Sequence, residues 1–356
     1  MGARRYLPVL AAAAAAVGLQ KALSASDATY YMTQITPSAY YALVVIGLCL
    51  LMGYAGQVSL GHAGFFAIGG YTAAVLTTYN LLPWRETPLL RRALSLGMVV
   101  ERQDLYGQTI LAVTPWLAFV AALLAAGIIA FLIALPVLRL RGHYLAMATL
   151  GFGLIIHRVV LGAKLFGQAD GIFNVPPFPL VGGLEVNGRP EFRLENYYIA
   201  WGAVLAAMVL SINLVHSRVG RALRSIHESE EAAHSLGVNT YHYKLVTFVI
   251  SALMAAAGGA LMTHYNGSIG PGEASAIKSV RYVAIVAVGG MANLWGCLLM
   301  GVVLNFLSVR LVFGSYDDVV FGGILIAMML FAPRGLLRLP RLGWVAAVLR
   351  RRRRRG

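Results

Sequence analysis

The stretch of sequence that decides the fold covers residues 37–80 and reads PSAYYALVVIGLCLLMGYAGQVSLGHAGFFAIGGYTAAVLTTYN. It contains two apolar runs, and each is long enough to cross a hydrocarbon core of about 30 Å at about 1.5 Å per residue. Asp, Glu, Lys and Arg are absent from all of it. A glycine-rich polar segment lies between the two runs. The pattern predicts a pair of membrane-spanning helices with an unusual connection.

The composition of the whole chain agrees with this interpretation. Hydrophobic residues make up 59% of the 356 residues and charged residues only 12%, whereas soluble domains carry about 25% charged residues. Too few polar groups are present to cover a water-facing surface, which excludes a soluble enzyme and a disordered chain. Cys49 and Cys297 both lie in apolar runs, so they predict neither a disulfide framework nor a metal cluster.

Ten apolar segments are predicted to span the membrane. They cover residues 6–24, 37–55, 61–80, 112–136, 144–163, 196–215, 244–265, 278–290, 296–313 and 318–333. The predicted fold class is all-α: a polytopic transmembrane helical bundle of about ten spans, forming a single domain over residues 1–356. Residues 1–26 also fit a cleavable signal peptide, which is the alternative to a retained first span.

The basic excess predicts the orientation of these spans. The chain has 29 Lys and Arg against 14 Asp and Glu, a net charge of +15. With the N-terminus in the cytoplasm, 17 basic residues fall on the cytoplasmic side and 8 on the external side. Residues 81–111 and 164–195 are then external loops, the latter forming a cap or hairpin, and 216–243 and the basic tail 334–356 are cytoplasmic. Contact of the tail with anionic membrane lipid accounts for its charge without nucleic acid.

The cytoplasmic loop 216–243 has a helical pattern. Ser217 is suited to cap a helix start and Gly237 to end it. One weakly apolar face is predicted from Ala222, Ile226, Ala233 and Leu236. Two interpretations remain open on this pattern alone: a solvated helix that connects two spans, or a docking element for a cytoplasmic partner.

Two blocks of sequence carry a resemblance to a known family. The first is the segment from Gly53 to Phe66 in the stretch quoted above. The second contains Glu231-Ala232-Ala233 followed by Gly237, which fits the Glu-Ala-Ala-x-x-x-Gly signature of bacterial ABC importer permeases. Over about residues 37–338 the chain resembles the M-type (LivM) permeases of branched-chain amino acid importers, within the LivH/LivM permease family.

The resemblance implies a permease subunit of an ATP-binding-cassette importer that moves branched-chain or other small amino acids by alternating access. It implies a multi-pass protein of the bacterial inner (plasma) membrane. The implied partners are a second homologous permease forming a heterodimer, two cytoplasmic ABC ATPases, and a periplasmic or extracellular solute-binding protein. The chain has no Gly-x-x-x-x-Gly-Lys-Ser/Thr phosphate loop, so a separate subunit would hydrolyse ATP, and neither an enzyme nor a cofactor is predicted.

Two alternatives to this function stay open. The same type of permease could carry urea or short amides. An ion-coupled secondary transporter is the less favoured alternative, because no buried Asp or Glu is expected within a span.

The glycine-rich segment is the predicted translocation pathway. Glycine allows the backbone to unwind, and unwound backbone at membrane depth occurs only where it is buried in protein or lines a cavity. The candidate pathway residues are Gly56, Gln57, Ser59, Gly61, His62, Thr149 and Asp170. The alternative for this segment is tight packing, with His62 as a hydrogen-bonded core residue. The eight histidines show no metal-ligand spacing, so no metal site is predicted.

The resemblance also assigns the loop 216–243 a role as a coupling helix that contacts the ATPases. The candidate coupling residues are Arg221, Arg224, Glu230, Glu231, Ala232, Ala233 and Gly237. On this hypothesis the charged residues orient the helix by ion pairs, the alanines permit close contact, and Gly237 forms the exit turn.

Overall fold

A computed structural model gives the fold and describes residues 5–103, 107–140, 142–310, 312 and 314–331. The basic tail 334–356 and Arg141 lie outside the described residues. Within them the chain forms the helices α1 (Leu7–Ala25), α2 (Tyr30–Cys49), α3 (His62–Thr78), α4 (Pro88–Ser95), α5 (Pro115–Val137), α6 (His143–Gly162), α7 (Arg193–His216), α8 (Arg218–Glu228), α9 (Glu230–Ser235), α10 (Thr240–Asn266), α11 (Ala276–Gly289), α12 (Leu294–Val309) and α13 (Asp317–Phe331). The predicted all-α class is confirmed.

Ten of these helices coincide with the ten predicted spans. The helices α1, α2, α5, α6, α7 and α10 are long and apolar enough to cross a membrane by length and composition. The helices α3, α11, α12 and α13 occupy the other four predicted positions and are shorter. The break between the eighth and ninth segments, at Gly290 to Asn293, lies where the sequence predicts it.

Short strands cover one end of the bundle. In the loop 81–111, β1 (Val99–Gln103) pairs antiparallel with β2 (Thr109–Val113), which the sequence did not predict. In the loop 164–195, β3 (Ile172–Phe173) pairs with β6 (Ser268–Ile269) after α10, and β4 (Phe178–Pro179) forms the predicted hairpin with β5 (Glu185–Val186). We call this the hairpin end, and we call the opposite end, which carries α8 and α9, the α8–α9 end.

The centre of the bundle is the crossing of α2 and α10. Every residue from Ile35 to Ala55 is buried. The two helices run antiparallel and approach through glycines: a Cβ on Gly47 would lie 3.2 Å from the Cβ of Met254, and one on Gly258 would lie 3.5 Å from the Cβ of Leu43. Small residues allow close helix contact where lipid provides no hydrophobic driving force.

This crossing is reciprocal, which indicates an inverted repeat. Gly47 and Gly258 are 211 positions apart, as are Leu43 and Met254. The contact of Gly47 with Met254 therefore joins positions equivalent to those joined by the contact of Gly258 with Leu43. Reciprocal contact between antiparallel helices corresponds to a two-fold axis perpendicular to them, the arrangement of inverted-topology repeats in transporters.

The same separation of 211 positions relates two breaks in the helical bundle. Tyr54 and Tyr265 both donate a hydrogen bond to a backbone carbonyl of another segment. Two residues later, Gly56 and Gly267 have left-handed φ angles of 68° and 66°. The chain then leaves the α-helical conformation until α3 begins at His62 and α11 begins at Ala276. The helices α3 and α11 therefore each follow an interruption in the helical path of the chain.

Candidate translocation site and coupling loop

The segment between α2 and α3 is unwound, as its glycines predict. The helix α2 continues into a π-helical turn, Leu50–Tyr54, and the chain is not helical from Gly56 to Gly61. Burial alternates along it: Gln57 and Ser59 are buried, whereas Gly56 and Val58 are exposed. One face of the segment therefore points into the protein and carries its polar side chains.

His62 connects this segment to α10. One ring nitrogen, Nδ1, lies 3.0 Å from Ser59 Oγ, and the other, Nε2, lies 2.6 Å from Ser251 Oγ. The ring is 1% exposed and meets Phe65 and Phe248 edge to face. Both nitrogens have a partner, so the geometry agrees with the interpretation of His62 as a hydrogen-bonded core residue.

Thr149 and Gly61 join the unwound segment to α6. Thr149 Oγ1 accepts a hydrogen bond from the Leu60 backbone N–H at 3.0 Å and donates one to the Ala146 carbonyl at 2.9 Å. A Cβ on Gly61 would lie 2.5 Å from the Thr149 carbonyl oxygen, closer than van der Waals contact allows. Glycine is therefore required at position 61 for the unwound segment and α6 to lie this close together.

Gln57 is the pathway candidate whose side chain has unused hydrogen-bonding capacity. It is 2% exposed, and neither Oε1 nor Nε2 has a hydrogen-bond partner among the described residues. Burying such a group unpaired costs about 1–3 kcal/mol. An amide in this state favours a partner from outside the chain, such as water or a polar cargo.

Asp170 does not join the other pathway candidates. It is exposed at the hairpin end, in a turn where its backbone N–H donates to the Gly167 carbonyl at 3.2 Å. The structure therefore gathers six of the seven predicted pathway residues around the first break and leaves Asp170 apart.

Residues 216–243, the candidate coupling loop, form two helices rather than one. Ser217 caps α8, because its Oγ accepts from the backbone N–H groups of Val219 and Gly220 at 3.1 and 3.4 Å. Gly237, with φ of 82°, ends α9. Both predicted boundaries are confirmed. Between them Ser229 is extended and its Oγ accepts from the Ala232 N–H at 3.3 Å, so it starts the second helix.

The predicted apolar face of this loop is partly wrong. Ile226 and Ala233 are buried as predicted, and Leu223 is also buried. Leu236, however, is 84% exposed. The break at Ser229 changes the helix direction, so helical spacing counted through it places Leu236 on the wrong side.

The candidate coupling residues differ in burial and contacts. Arg224 donates to the carbonyls of Gly220 and Val215, Glu230 forms an ion pair of 2.5 Å with Lys244, and Ala233 is buried. The side chains or backbone of the remaining candidates are exposed, which are Arg221, Glu231, Ala232 and Gly237. Together with Leu236 they form part of the exposed surface of the loop.

The candidate coupling loop touches the unwound segment directly. A Cβ on Gly56 would lie 2.9 Å from Nδ1 of His227, which belongs to α8. Glycine thus permits α8 to rest on the start of the first break. A displacement of α8 would reach the candidate pathway without an intermediate element.

The second break contains charged residues that pair with one another. Lys278, the first residue of the eighth predicted span, forms an ion pair of 2.5 Å with Glu273. Arg281 pairs with Asp317 at 2.7 Å. The shared pattern of Tyr54-Ala55-Gly56 and Tyr265-Asn266-Gly267 was the signal that predicts a second break. Among the described residues, no group of three or more His, Cys, Asp or Glu is placed to hold a metal ion.

An inverted repeat of broken helices, with a capped helix pair against one break, defines a multi-pass membrane transport protein. The chain belongs to the family described as branched-chain amino acid transport system / permease component, which matches residues 30–329. It is 31% identical over 328 residues to the LivM permease protein of a high-affinity branched-chain amino acid transport system from Salmonella typhimurium. That alignment covers 86% of this chain and 69% of the relative.

Two further relatives show the range of the family. The LivH permease protein of Escherichia coli is 25% identical, over 87% of this chain and 96% of the relative. The guanosine ABC transporter permease protein NupQ of Bacillus subtilis is 25% identical, over 57% of each chain. No solved structure matches the chain.

Proposed function

We propose that the chain is a permease subunit of an ATP-driven importer for branched-chain or other small amino acids in the bacterial inner membrane. A second homologous permease completes the membrane channel, two ABC ATPases bind the α8–α9 end, and a solute-binding protein docks at the hairpin end. The names of the relatives support the cargo, and the names LivM and LivH support a pair of different permeases.

The contact between α8 and the unwound segment is the observation that carries this proposal. The α8–α9 pair presents an exposed surface on one side and touches Gly56 on the other. Closure of the ATPases on nucleotide binding would move α8, and the reciprocal α2–α10 crossing would let the two repeats rock against each other. This is alternating access around a site at the breaks.

The test is the change Leu236→Asp in the complete importer, reconstituted in liposomes. Leu236 is the most exposed large apolar side chain of the coupling loop, so we expect the variant to lose ATPase co-purification and ATP-dependent uptake of L-leucine. The matched control is Leu165→Asp, where the same change falls on an exposed leucine, 53% accessible, at the hairpin end. This control retains the ATPases.

Equal ATPase binding by the two variants contradicts the coupling role. Uptake that continues without ATP and follows a proton or sodium gradient supports the ion-coupled alternative instead. Competition by urea, a short amide or guanosine, in place of L-leucine, identifies another cargo for the same machine, and the relative NupQ makes guanosine the first compound to include.

A further inference from the structure

The second break places charged groups at the middle of the bundle. Glu273 lies in the short 3₁₀ turn after β6, and Lys278 lies in the first turn of α11. Both contact the hydroxyl of Tyr41. At about 1.5 Å per residue, Tyr41 is about 17 Å along the helix from Tyr30 and about 20 Å from Tyr54. Tyr41 therefore lies about halfway along this candidate membrane span.

Glu273, Lys278 and Tyr41 form a closed polar triangle. Lys278 Nζ lies 2.5 Å from Glu273 Oε1 and donates to the Tyr41 hydroxyl at 3.1 Å. That hydroxyl donates in turn to the Glu273 carboxylate at 3.1 Å. A charged side chain at the bilayer centre is costly, and such residues mark substrate and ion pathways.

A second cation lies on the same side of α11. Arg281 is held by Asp317 at 2.7 Å and by Ser308 Oγ at 2.6 Å, and its side chain is 14% exposed. Arg281 is three residues from Lys278, which places both cations on one helix face. The two cations therefore sit beside their acidic partners, and the region offers both signs of charge.

A cavity of about 110 Å³ lies beside the two cations, Lys278 and Arg281, whereas their acidic partners Glu273 and Asp317 do not line it. Its polar lining consists of Tyr41, Lys278, Arg281, Tyr282, Asn305 and Ser308. Tyr282 is 1% exposed, and its hydroxyl has no hydrogen-bond partner among the described residues. Nε of Arg281 is also buried and has no hydrogen-bond partner among the described residues. Two unpaired donors beside a cavity indicate a site for an external polar group.

We propose that this cavity holds the zwitterionic head group of a free amino acid during its passage through the membrane. The cargo carboxylate accepts hydrogen bonds from Lys278, Arg281 and the Tyr282 hydroxyl, which line the cavity. The cargo ammonium takes the place of the Lys278 ammonium beside the Glu273 carboxylate, which lies behind Lys278 rather than in the cavity wall. This assignment rests on the proposed function and names the part of the cargo that the permease itself recognises.

The chemistry of the cavity favours a zwitterionic ligand. A zwitterion adds no net charge to the membrane interior and replaces each existing ion pair with an equivalent one. The positive end of the α11 dipole, at the start of the helix beside Lys278, adds to the attraction for a carboxylate. The volume is below the 300–1,000 Å³ of ordinary ligand pockets, roughly enough for a head group without a large side chain.

The sharpest variant is Tyr282→Phe, because it removes a hydroxyl that has no hydrogen-bond partner in the described part of the chain. A structural role predicts no effect from this change. A cargo contact predicts that leucine moved per ATP hydrolysed falls about tenfold in liposomes with saturating loaded binding protein. The matched control is Tyr40→Phe, since the Tyr40 hydroxyl is also buried and unpaired but does not line the cavity.

A second measurement tests the charge class. Radiolabelled L-leucine is bound to the purified complex without binding protein and challenged with 3-methylbutylamine or 4-methylpentanoate, which each carry one of the two charges. We expect unlabelled L-leucine to compete at least tenfold better than either. Equal competition by a singly charged compound, or equal transport by the Tyr282→Phe and Tyr40→Phe variants, overturns the inference. A wild-type complex that transports no L-leucine refutes the proposed function, which is a different outcome.

Discussion

At the scale of single residues, His62 shows how a polar side chain is accommodated at membrane depth. The sequence predicts that His62 lies in the unwound segment, and it offers both a pathway role and a core role. It cannot predict the partner Ser251, which is 189 positions away along the chain. The two ring nitrogens and two serine hydroxyls satisfy one another, and this network fixes the start of α3 against α10.

Ser251→Ala tests the importance of this network. The change leaves Nε2 of His62 buried without a partner, so we expect a loss of about 1–3 kcal/mol in stability, measured by thermal unfolding in detergent. Ser211→Ala is the matched control. Ser211 is also a buried helical serine, but its hydroxyl donates to the Ala207 carbonyl of its own helix rather than to another segment. Equal destabilisation by the two changes contradicts a special role for the His62 contact.

Gly56 provides a second test at this scale. Gly56→Ala forces an L side chain into a left-handed conformation, at a cost of about 1–2 kcal/mol, and pushes against His227. Gly182→Ala has the same backbone cost, because φ is 83° there, but no atom lies within 4 Å of the new Cβ. We expect both variants to lose a similar amount of thermal stability. Only Gly56→Ala is expected to lose leucine uptake per folded complex. Equal uptake would show that α8 does not act through Gly56.

At the scale of elements, hydropathy predicts the spans better than the segments between them. All ten predicted spans coincide with helices, because a long apolar run has few alternatives in a membrane. The break at Ser229 was not predicted, since a single serine gives no strong signal within a polar helix. The turn Pro271–Ala274 falls between the seventh and eighth predicted spans, and hydropathy does not predict that Glu273 and Lys278 pair within the bundle. Their position depends on pairing across helices, which local sequence does not encode.

Lys244→Met tests how α9 is attached to α10. The Lys244 side chain is 10% exposed and that of Glu230 is 31% exposed. Removing one partner of a fully buried pair costs about 3–5 kcal/mol, and the partial exposure of Glu230 lowers the expected cost to about 1–3 kcal/mol. We expect a lower unfolding temperature and weaker ATPase co-purification.

The control for this pair is Arg85→Met at the hairpin end. Arg85 pairs with Glu101 at 3.2 Å, and both side chains are about half exposed. Exposed ion pairs contribute about 0–1 kcal/mol, so this variant keeps its stability and its ATPases. If Lys244→Met behaves like Arg85→Met, the Glu230 pair does not hold α9 in place.

At the scale of the whole molecule, the inverted repeat explains why some spans are short. The helices α3 and α11 begin after matched breaks, and Ala63 of α3 donates its N–H to Ser279 Oγ of α11 at 3.2 Å. The two half-helices therefore meet inside the bundle. The repeat was not predicted, because sequence identity between its halves is confined to a few residues, such as Gly47 and Gly258. The contacts that reveal it are long-range.

The orientation of the molecule is the property that the sequence predicts and the fold does not test. Placing the α8–α9 end in the cytoplasm puts 17 basic residues there and 8 on the other side. Single cysteines introduced at opposite ends provide the measurement: Leu140→Cys between α5 and α6, and Leu96→Cys after α4. These leucines are 40% and 69% exposed, so a membrane-impermeant maleimide can reach cysteines there.

We expect Leu96→Cys to react in intact spheroplasts and Leu140→Cys to react only in inside-out vesicles. The native Cys49 and Cys297 provide the background, and both are fully buried, so the unchanged chain should remain unlabelled under both conditions. The reversed labelling pattern would place α8 and α9 outside the cell, away from ATP. That result would contradict the positive-inside prediction and the coupling role of this loop together, because both require the same side of the membrane.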